Sequence, residues 1–415
     1  MPPVAESSVE VRADFPILSR RLGGRPLIYL DSAATSQKPQ VVIDAVANHL
    51  SEHNANVHRG VYPLAQEADA AFEGARERIA AFTNSPAATT IFTKNVTEAI
   101  NLVAYSWGRA NIGPGDAVLI TQAEHHANIV PWQVLCRERG AHLRYLQVDP
   151  NGELSPAQLH EELARGDVRL VAFAHVSNVL GTINPVEDMC AQVRDAGAIS
   201  VVDGAQAVPQ MPVDVTRIGA DFYAWTGHKA LGPTGIGVLH GRRELLEEMQ
   251  PFLTGGDMIA SVQEQSATWN ELPWKFEAGT PAVAEAVGLG AAVDYLSQIG
   301  MDRVREHERS LTAHMLDGLA GVPGLRIIGP TAADARGGLA SFTIEGLHPH
   351  DIAEIAGRDG VCIRAGHHCA QPLMRCLGVG STARASVSVY NSPADIDALL
   401  ASLAGARDLF KLTSA

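Results

Sequence analysis

The chain contains the segments Val202-Asp203-Gly204-Ala205-Gln206-Ala207 and Phe222-Tyr223-Ala224-Trp225-Thr226-Gly227-His228-Lys229-Ala230. Each segment begins as a short apolar run, which is typical of a buried strand, and ends in a turn that contains glycine. Taken alone, Asp203 is typical of a helix cap or a solvated turn. Lys229 stands among small and apolar residues, where loss of water lowers the pKa of an amine. Such an amine can form a Schiff base with an aldehyde.

Strand-like and helical patterns alternate around these two segments, from about residue 25 to residue 240. The strand-like runs are 27–30, 90–93, 117–121, 143–148, 170–175, 200–203, 222–226 and 236–240. Between them lie patterns with apolar residues three or four apart, which predict helices over 41–52, 67–82 and 98–107. The alternation predicts an α/β fold with a mostly parallel sheet between helices. Ligands of such a sheet bind at the carboxyl ends of its strands.

The last third of the chain has a different pattern. Two long helical patterns, over 281–299 and 301–320, precede strand-like runs and two further helices. A mixture of this kind is typical of an α+β domain. We therefore predict a large cofactor-binding domain over 25–294, and a small α+β domain formed by 1–24 and 295–415.

Composition and charge argue against several classes of protein. The 415 residues carry 32 basic and 46 acidic side chains, and the net charge of -14 repels nucleic acid. No run approaches the ~18 apolar residues that a membrane helix needs. The five cysteines form no Cys-x-x-Cys pair, so neither a disulfide framework nor a zinc ribbon is expected. Because residues 1–14 have no secretory or transit pattern, we predict a cytoplasmic protein.

An amine and a carboxylate at neighbouring strand ends are the pair that pyridoxal phosphate requires. Three further motifs accompany this pair: Glu124-His125-His126-Ala127-Asn128, His175-Val176-Ser177-Asn178 and Arg364-Ala365-Gly366-His367-His368-Cys369. With these motifs, the chain from about residue 11 to residue 409 resembles the SufS-type cysteine desulfurases of the class V aminotransferase family. The resemblance implies a fold type I enzyme that uses pyridoxal 5'-phosphate and whose large domain contains a seven-stranded sheet.

The resemblance implies how the cofactor ring is held. Lys229 carries pyridoxal phosphate, Asp203 pairs with the ring nitrogen, and Gln206 forms a hydrogen bond with the phenolic oxygen. His125 stacks on the face of the ring, although its neighbour His126 competes for this role.

The resemblance also implies a phosphate site. Its members in this sequence are Val96, Thr97, Thr226, His228 and, from the neighbouring subunit, Thr280. A helix amino terminus suits an anion because its first N–H groups are free. Val96 stands where the family has a small or hydroxyl residue, so we expect it to use its backbone alone. Ala282 replaces the asparagine that usually follows Gly279-Thr280-Pro281, and a contact from the neighbour implies a homodimer.

Substrate contacts follow from the same resemblance. Arg384 binds the α-carboxylate of the substrate, Arg364 orients substrate and cofactor, and Asn178 contacts both. The backbone of Ala33 and Ala34 lines the pocket. His58 is expected at the mouth of the pocket, although an ordinary loop histidine fits this position as well.

Cys369 is the predicted nucleophile. It follows His367 and His368 in a loop, where Arg364 and a protonated histidine would lower the pKa of a thiol. The remaining cysteines are expected to be small buried residues; they are Cys136, Cys190, Cys362 and Cys376. Seven-residue spacings link three of the five cysteines but match no common zinc motif, so we predict no metal site in this chain.

The resemblance implies that L-cysteine is converted to L-alanine while a persulfide forms on Cys369. Lys229 removes the Cα proton of the substrate, and His125 acts as an acid or proton carrier. The persulfide sulfur then passes to an acceptor for iron-sulfur cluster assembly.

One segment points to the acceptor. Leu347-His348-Pro349-His350-Asp351 opens a predicted helix, and its residues alone indicate a cap by Asp351 or His350. The segment also resembles the one with which SufS-type enzymes meet a zinc-containing SufU-type acceptor, where a histidine becomes a ligand to the acceptor's zinc. His350 is the candidate for that role, and a SufE-type acceptor is the alternative.

Other functions share many of these motifs. Selenocysteine lyase and cysteine sulfinate desulfinase use the same pyridoxal chemistry, whereas a plain aminotransferase has no use for Cys369. From another class, the alternative is a non-catalytic sulfur scaffold with this fold. The presence of Lys229, Asp203 and Cys369 together argues against it.

Overall fold

The computed structural model describes residues 9–149 and 152–412, so the ends of the predicted small domain lie partly outside the described residues. Seven strands form the central sheet: β1 Thr90–Thr93, β2 Ala117–Thr121, β3 His142–Leu146, β4 Val168–Ala174, β5 Ile199–Asp203, β6 Phe222–Thr226 and β7 Gly237–Gly241. Their order is β1-β7-β6-β5-β4-β2-β3. Neighbours are parallel except at β7, which runs antiparallel to β1 and β6. The predicted seven-stranded, mostly parallel sheet is confirmed.

Helices cover both faces of this sheet, because successive side chains of a buried strand point to opposite sides. In β4, Val171 and Phe173 pack into one core cluster, whereas Leu170 and Ala172 pack into the other. The helices of this part of the chain are Gln40–Glu52, Pro63–Phe82, Val96–Leu102, Arg109–Asn111, Val130–Arg139, Pro156–Leu163, Val186–Asp195, Val215–Ile218, Arg243–Glu248 and Val283–Ile299. A π-helical turn, Val103–Gly108, joins the third to the fourth. Within the described ranges, no helix combines the length and apolar character that crossing a membrane requires.

A second, antiparallel sheet lies in the C-terminal part. Its strands are β8 Leu325–Ile328, β9 Leu339–Ile344, β10 Arg364–Gly366 and β11 Thr382–Ser386, in the order β8-β9-β11-β10. The helices Met301–Ala320, Pro349–Arg358, Gln371–Cys376 and Pro393–Leu409 belong to the same region. Leu311, Phe342 and Leu399 are members of its separate hydrophobic core. This arrangement places the loop of Cys369, the predicted nucleophile, between β10 and the helix Gln371–Cys376.

One of the predicted strands does not join the sheet that the sequence pattern indicates. Instead of joining the central sheet, Ile28–Tyr29 pairs in parallel with Val361–Cys362 near the second sheet. A short apolar run does not specify its partner, because strand pairing depends on distant residues. Two further short pairs are Arg21–Leu22 with Arg25–Pro26, and Ile259–Val262 with Ala267–Trp269. The domain boundaries at 24/25 and 294/295 stay a prediction.

A buried arginine ties the helix Pro63–Phe82 to the central sheet. Arg76 is 2% exposed and forms a bidentate ion pair with Glu277, with N–O distances of 2.6 and 2.8 Å. It also donates to the carbonyl of Thr90 at 3.0 Å, and its guanidinium lies 4.4 Å from the ring centroid of Phe92. Glu277 in turn accepts the backbone N–H of Phe92 at 2.6 Å. The pair therefore joins a helix, β1 and the loop that carries Glu277.

We predict that Arg76→Met lowers the free energy of unfolding by about 3 kcal/mol or more, because it leaves the carboxylate of Glu277 buried without its partner. Urea unfolding measures this loss. Arg78→Met is the matched control, since Arg78 pairs with Asp294 at the surface and its removal should cost less than about 1 kcal/mol. Equal losses in the two variants would contradict the prediction.

Candidate active site

A cavity of about 260 Å³ lies at the carboxyl ends of the central strands. The predicted site residues that line it are Ala33, Ala34, Val96, Thr97, His125, Asn178, Asp203, Gln206, Thr226, His228, Lys229, Arg364 and Arg384. They come from both sheets and from loops far apart in the chain. Cys369, Thr280, His58 and His350 do not line this cavity within the same chain.

Opposite charges meet in this cavity because β5 and β6 are neighbours in the sheet. Asp203 is the last residue of β5, and Lys229 follows β6 by three residues. Burial lowers the pKa of Lys229 to about 8, while the nearby charge of Asp203 opposes this change. Burial raises the pKa of Asp203, and a hydrogen bond from the Ala205 N–H at 2.9 Å together with the Lys229 charge opposes that rise. The amine can therefore lose its proton near neutral pH.

His125 presents a neutral imidazole to the cavity. Its Nδ1 accepts the backbone N–H of Ala127 at 3.0 Å, so the ring proton resides on Nε2. Burial, with the nearby charge of Lys229, lowers the pKa of His125 to about 3. A neutral ring with an available N–H can donate to a group in the cavity.

Glu124 anchors the segment that carries His125, a role that sequence reasoning missed although the residue stands in the quoted motif. Its carboxyl group accepts the Thr121 hydroxyl at 2.6 Å, the Asn128 amide at 2.7 Å and the Ala174 N–H at 3.1 Å. Complete burial raises the pKa of Glu124 to about 7. The three bonds tie the His125 segment to the ends of β2 and β4.

The turn after β1 has the features of an anion site. Asn95 caps the helix Val96–Leu102 by accepting the Glu98 N–H at 3.0 Å. The N–H groups of Val96 and Thr97 have no partners inside the helix, because they belong to its first turn. Gly237 of β7 permits this turn to approach, because a Cβ there would lie 2.6 Å from the Asn95 Cα.

A residue with a buried hydroxyl, Thr226, lines the same cavity. Thr226 is 3% exposed, and its Oγ1 has no hydrogen-bond partner among the residues that the structure describes. An unpaired buried hydroxyl is costly unless a ligand pairs with it. Beside it, His228 places Nδ1 3.2 Å from the Thr35 hydroxyl, and burial lowers its pKa to about 4. These groups fit the phosphate of pyridoxal phosphate, and the Lys229–Asp203 pair fits its aldehyde and ring nitrogen.

The segment 35–38 holds the turn before Lys229, and no sequence signal distinguished it. The carbonyl of His228 accepts the Ser36 N–H at 3.0 Å and the Lys38 ammonium at 2.9 Å. The Ser36 hydroxyl accepts the Leu231 N–H at 3.0 Å, and burial lowers the pKa of Lys38 to about 7. The turn is thus fixed on both sides of Lys229, at His228 and at Leu231.

The opposite wall of the cavity is built around Arg384 of β11. This side chain is 1% exposed; it donates to the Asn178 carbonyl at 2.8 Å and to the Asp31 carboxylate at 3.1 Å. Its Nε has no partner within the described part of the chain, and burial lowers its pKa against the opposing effect of Asp31. Gln206, predicted to contact the phenolic oxygen, donates one amide N–H to the Ala33 carbonyl at 2.8 Å. Its role toward the ring stays a prediction.

Cys369 lies in a strained turn next to two residues that line the cavity. His368 and Cys369 have φ values of 50° and 57°, a left-handed conformation that non-glycine residues rarely adopt. The half-buried Cys369 Sγ lies 3.8 Å from Arg364 Nη2. The Asn178 amide donates to the His368 carbonyl at 2.7 Å, which connects the turn to the cavity wall.

The other cysteines differ in exposure. Cys136 and Cys190 are buried, which raises the pKa of their thiols to about 11 and about 12. Cys362 is half-buried, and burial raises its pKa. The expectation of burial is wrong for Cys376, which is exposed because it ends the short helix Gln371–Cys376 on its solvent side.

His58 and the segment of Thr280 meet at a second cavity of about 420 Å³. His58 lines it together with Gly279 and Pro281, which flank the exposed Thr280. His58 Nε2 lies 2.9 Å from the Glu73 carboxylate, and this hydrogen bond raises the pKa of His58. Neither residue faces the first cavity of its own chain, so their predicted contacts with a site stay predictions.

His350 is exposed at the start of the helix Pro349–Arg358. The expected cap by Asp351 or His350 is wrong, because His348 takes the cap position and its Nδ1 accepts the His350 N–H at 3.3 Å. The ring centroids of His348 and His350 are 5.1 Å apart, and both side chains are exposed.

Known proteins resemble this chain along nearly its whole length. Residues 28–399 match the family described as Aminotransferase class-V. The chain is 47% identical over 414 residues to a cysteine desulfurase of Haloferax volcanii, covering 96% of this chain and 97% of that protein. It is 50% identical over 402 residues to a probable cysteine desulfurase of Halobacterium salinarum, covering 96% of each. The apo structure of a cysteine desulfurase from Thermococcus onnurineus NA1 aligns with a TM-score of 0.92 and 38% identity, over 97% of this chain and 98% of that one.

We predict that Thr226→Val has opposite effects on the apoprotein and on cofactor binding. Removing an unpaired buried hydroxyl should leave the apoprotein unchanged or stabilise it by about 1 kcal/mol, whereas pyridoxal phosphate should bind about tenfold more weakly. Urea unfolding of the apoprotein and equilibrium titration with pyridoxal phosphate measure the two effects.

Thr93→Val is the matched control for this experiment. The Thr93 hydroxyl donates to the Asn95 carbonyl at 3.1 Å, so its loss should destabilise the apoprotein. Unweakened cofactor binding by Thr226→Val would show that its hydroxyl does not contact the phosphate.

Proposed function

We propose that this chain, which belongs to the class V aminotransferase family and is a pyridoxal-phosphate-dependent cysteine desulfurase, forms a persulfide on Cys369 and passes its sulfur to an acceptor protein. The observation that carries the proposal is the position of Cys369. Its thiol stands on a strained turn beside Arg364, and both Arg364 and the preceding His368 line the cavity that contains Lys229 and Asp203.

Pyridoxal phosphate, when bound, supplies an aldehyde for the amine and a ring that accepts electrons from the substrate carbon. Lys229 would hold it, Asp203 would face its ring nitrogen, and Thr226 with the turn at Val96 and Thr97 would receive its phosphate. Because the pKa of Lys229 is lowered to about 8, its amine can take up the Cα proton of cysteine and return a proton later.

Arg384 and Arg364 orient the substrate in this proposal. The buried Arg384 Nε has no partner among the described residues, so it can donate to a carboxylate without losing its bonds to Asn178 and Asp31. Arg364 is the register partner of Arg384 in the second sheet, and its Nη2 lies 3.8 Å from the thiol of Cys369. The α-carboxylate is thereby held at one wall and the substrate sulfur can face the nucleophile.

Cys369 performs the sulfur transfer. Its thiolate forms a new S–S bond to the substrate sulfur while the Cβ–S bond breaks, and the electron pair of that bond passes to the substrate carbons. The carbon skeleton takes up protons and leaves as L-alanine, so that cysteine and the Cys369 thiol yield alanine and one persulfide. The neutral His125, with its proton on Nε2, is placed to donate within the cavity.

The persulfide is passed on in the cytoplasm toward iron-sulfur cluster assembly. The exposed His348 and His350 support an acceptor of the zinc-containing SufU type over one of the SufE type, because a histidine pair can offer a ligand to a partner's zinc. The exposure of Thr280 in its own chain supports a homodimer in which it reaches the neighbour's phosphate site.

We predict the outcome of an anaerobic single turnover with L-cysteine and no acceptor. The purified holoenzyme should release about one alanine per chain, and the Cys369 peptide should gain the mass of one sulfur. Cys369→Ser should bind cysteine, as seen by the change in the cofactor absorption, but form no persulfide. Cys376→Ser is the matched control and should behave as the unchanged protein. Sulfide release at full rate by Cys369→Ser would contradict the assignment.

A separate prediction concerns the acceptor. His350→Ala should abolish most of the stimulation of turnover by a zinc-containing acceptor, while turnover without acceptor stays unchanged. The measurement is alanine formation with and without the acceptor. His142→Ala, an exposed histidine at the start of β3, is the control. Full stimulation of His350→Ala would remove His350 from the acceptor interface.

A further inference from the structure

Two adjacent histidines face different parts of the site. The ring centroids of His125 and His126 are 6.3 Å apart, and their hydrogen bonds assign opposite tautomers. His125 accepts a backbone N–H at Nδ1 and lines the cavity. His126 accepts the Gln371 N–H at Nε2, at 3.2 Å, so its own proton is on Nδ1. The ring of His126 is thus directed to the segment that follows Cys369.

The contact with Gln371 replaces a helix cap that the local sequence lacks. Gln371 is the first residue of the helix Gln371–Cys376, and the cap position is taken by Ala370, which has no side-chain acceptor. The first N–H groups of a helix need an acceptor from elsewhere in such a case. The imidazole of His126 supplies it from 245 positions away in the chain.

His126 also holds the nucleophile residue itself. Its backbone N–H donates to the Cys369 carbonyl at 2.7 Å. His126 therefore forms hydrogen bonds on both sides of Ala370, with Cys369 and with Gln371.

The turn needs such support because its backbone is strained. His368 and Cys369 are consecutive left-handed residues, and a conformation of this kind persists only where its surroundings impose it. Asn178 and Thr382 hold the first of them: the Asn178 amide bonds the His368 carbonyl at 2.7 Å, and the Thr382 hydroxyl lies 2.8 Å from His368 Nε2. The contacts to the second come from His126 and from Arg364.

We propose that His126 is a positioning residue for Cys369. Its neutral ring caps the helix after the nucleophile and keeps the thiol half-buried beside Arg364, where it can reach a sulfur in the cavity. The inference rests on the proposed function, since it assigns a purpose to the position of Cys369. The inference assigns different roles to the two histidines: His125 acts on groups inside the cavity, and His126 holds the turn that contains Cys369.

The test compares His126→Ala with His126→Gln in the holoenzyme. The amide oxygen of glutamine can reproduce the Nε2 acceptor, whereas alanine removes it. We expect His126→Ala to increase the rate of Cys369 alkylation by iodoacetamide about fivefold, the size expected from the loss of one helix cap, and His126→Gln to restore the original rate. Mass spectrometry of the Cys369 and Cys376 peptides identifies the alkylated thiol. His142→Ala, an exposed histidine at the start of β3, is the control and should alkylate at the original rate.

A second readout separates positioning from a general loss of structure. In a single turnover, His126→Ala should form persulfide about fivefold more slowly, while KM for cysteine and the cofactor absorption band stay unchanged. An unchanged alkylation rate in His126→Ala would overturn the inference, and so would loss of the cofactor band, which would assign the ring to the cofactor. Failure of the proposed function is distinct: Cys369→Ser would then still turn over at full rate, whatever the alkylation result.

Discussion

The burial of an amine and a carboxylate in one cavity is the constraint on which the rest of this structure depends. Lys229 and Asp203 lose water at the ends of two neighbouring strands, and each is tolerable because the other carries the opposite charge. The segments that surround Lys229 and Asp203 are in turn held in place by polar contacts. Three sets of hydrogen bonds hold the segments around these two side chains. They are the cap by Asn95, the bonds from Ser36 and Lys38 to the His228 carbonyl, and the bonds of Glu124 beside His125.

The cavity is also the place where two sheets with separate cores come together. The hydrogen bonds from Arg384 of β11 to the Asn178 carbonyl and from the Asn178 amide to the His368 carbonyl cross between them at the cavity wall. Lys229 and Arg384, the groups proposed to act on the substrate, are thus carried by different layers of the protein. The strained turn at His368 and Cys369 is held from both layers, by Asn178 and His126 from loops of the central sheet and by Thr382 from β11.

Much of this was predictable from local sequence. The alternation of patterns predicted the central sheet because helices and buried strands have distinct periodicities, and motifs at strand ends brought Lys229, Asp203 and His125 to one cavity. The failures have a common cause. The pairing of Ile28–Tyr29 with Val361–Cys362 and the exposure of Cys376 each depend on packing against residues that short patterns do not specify. Glu124 and Lys38 were missed for the same reason, because a buried polar role is visible only once its partners are in place.

The sequence by itself determined the class of fold, the family and the chemical types of the groups in the site, since these follow from periodicity and from motifs a few residues long. Only the tertiary structure decided which way each group faces. His125 and His126 are adjacent and chemically identical, yet one lines the cavity and the other caps a helix 245 positions away. The physical reason is that a hydrogen bond depends on the distance and angle between two atoms, and for residues far apart in the chain the packing of the two layers sets both.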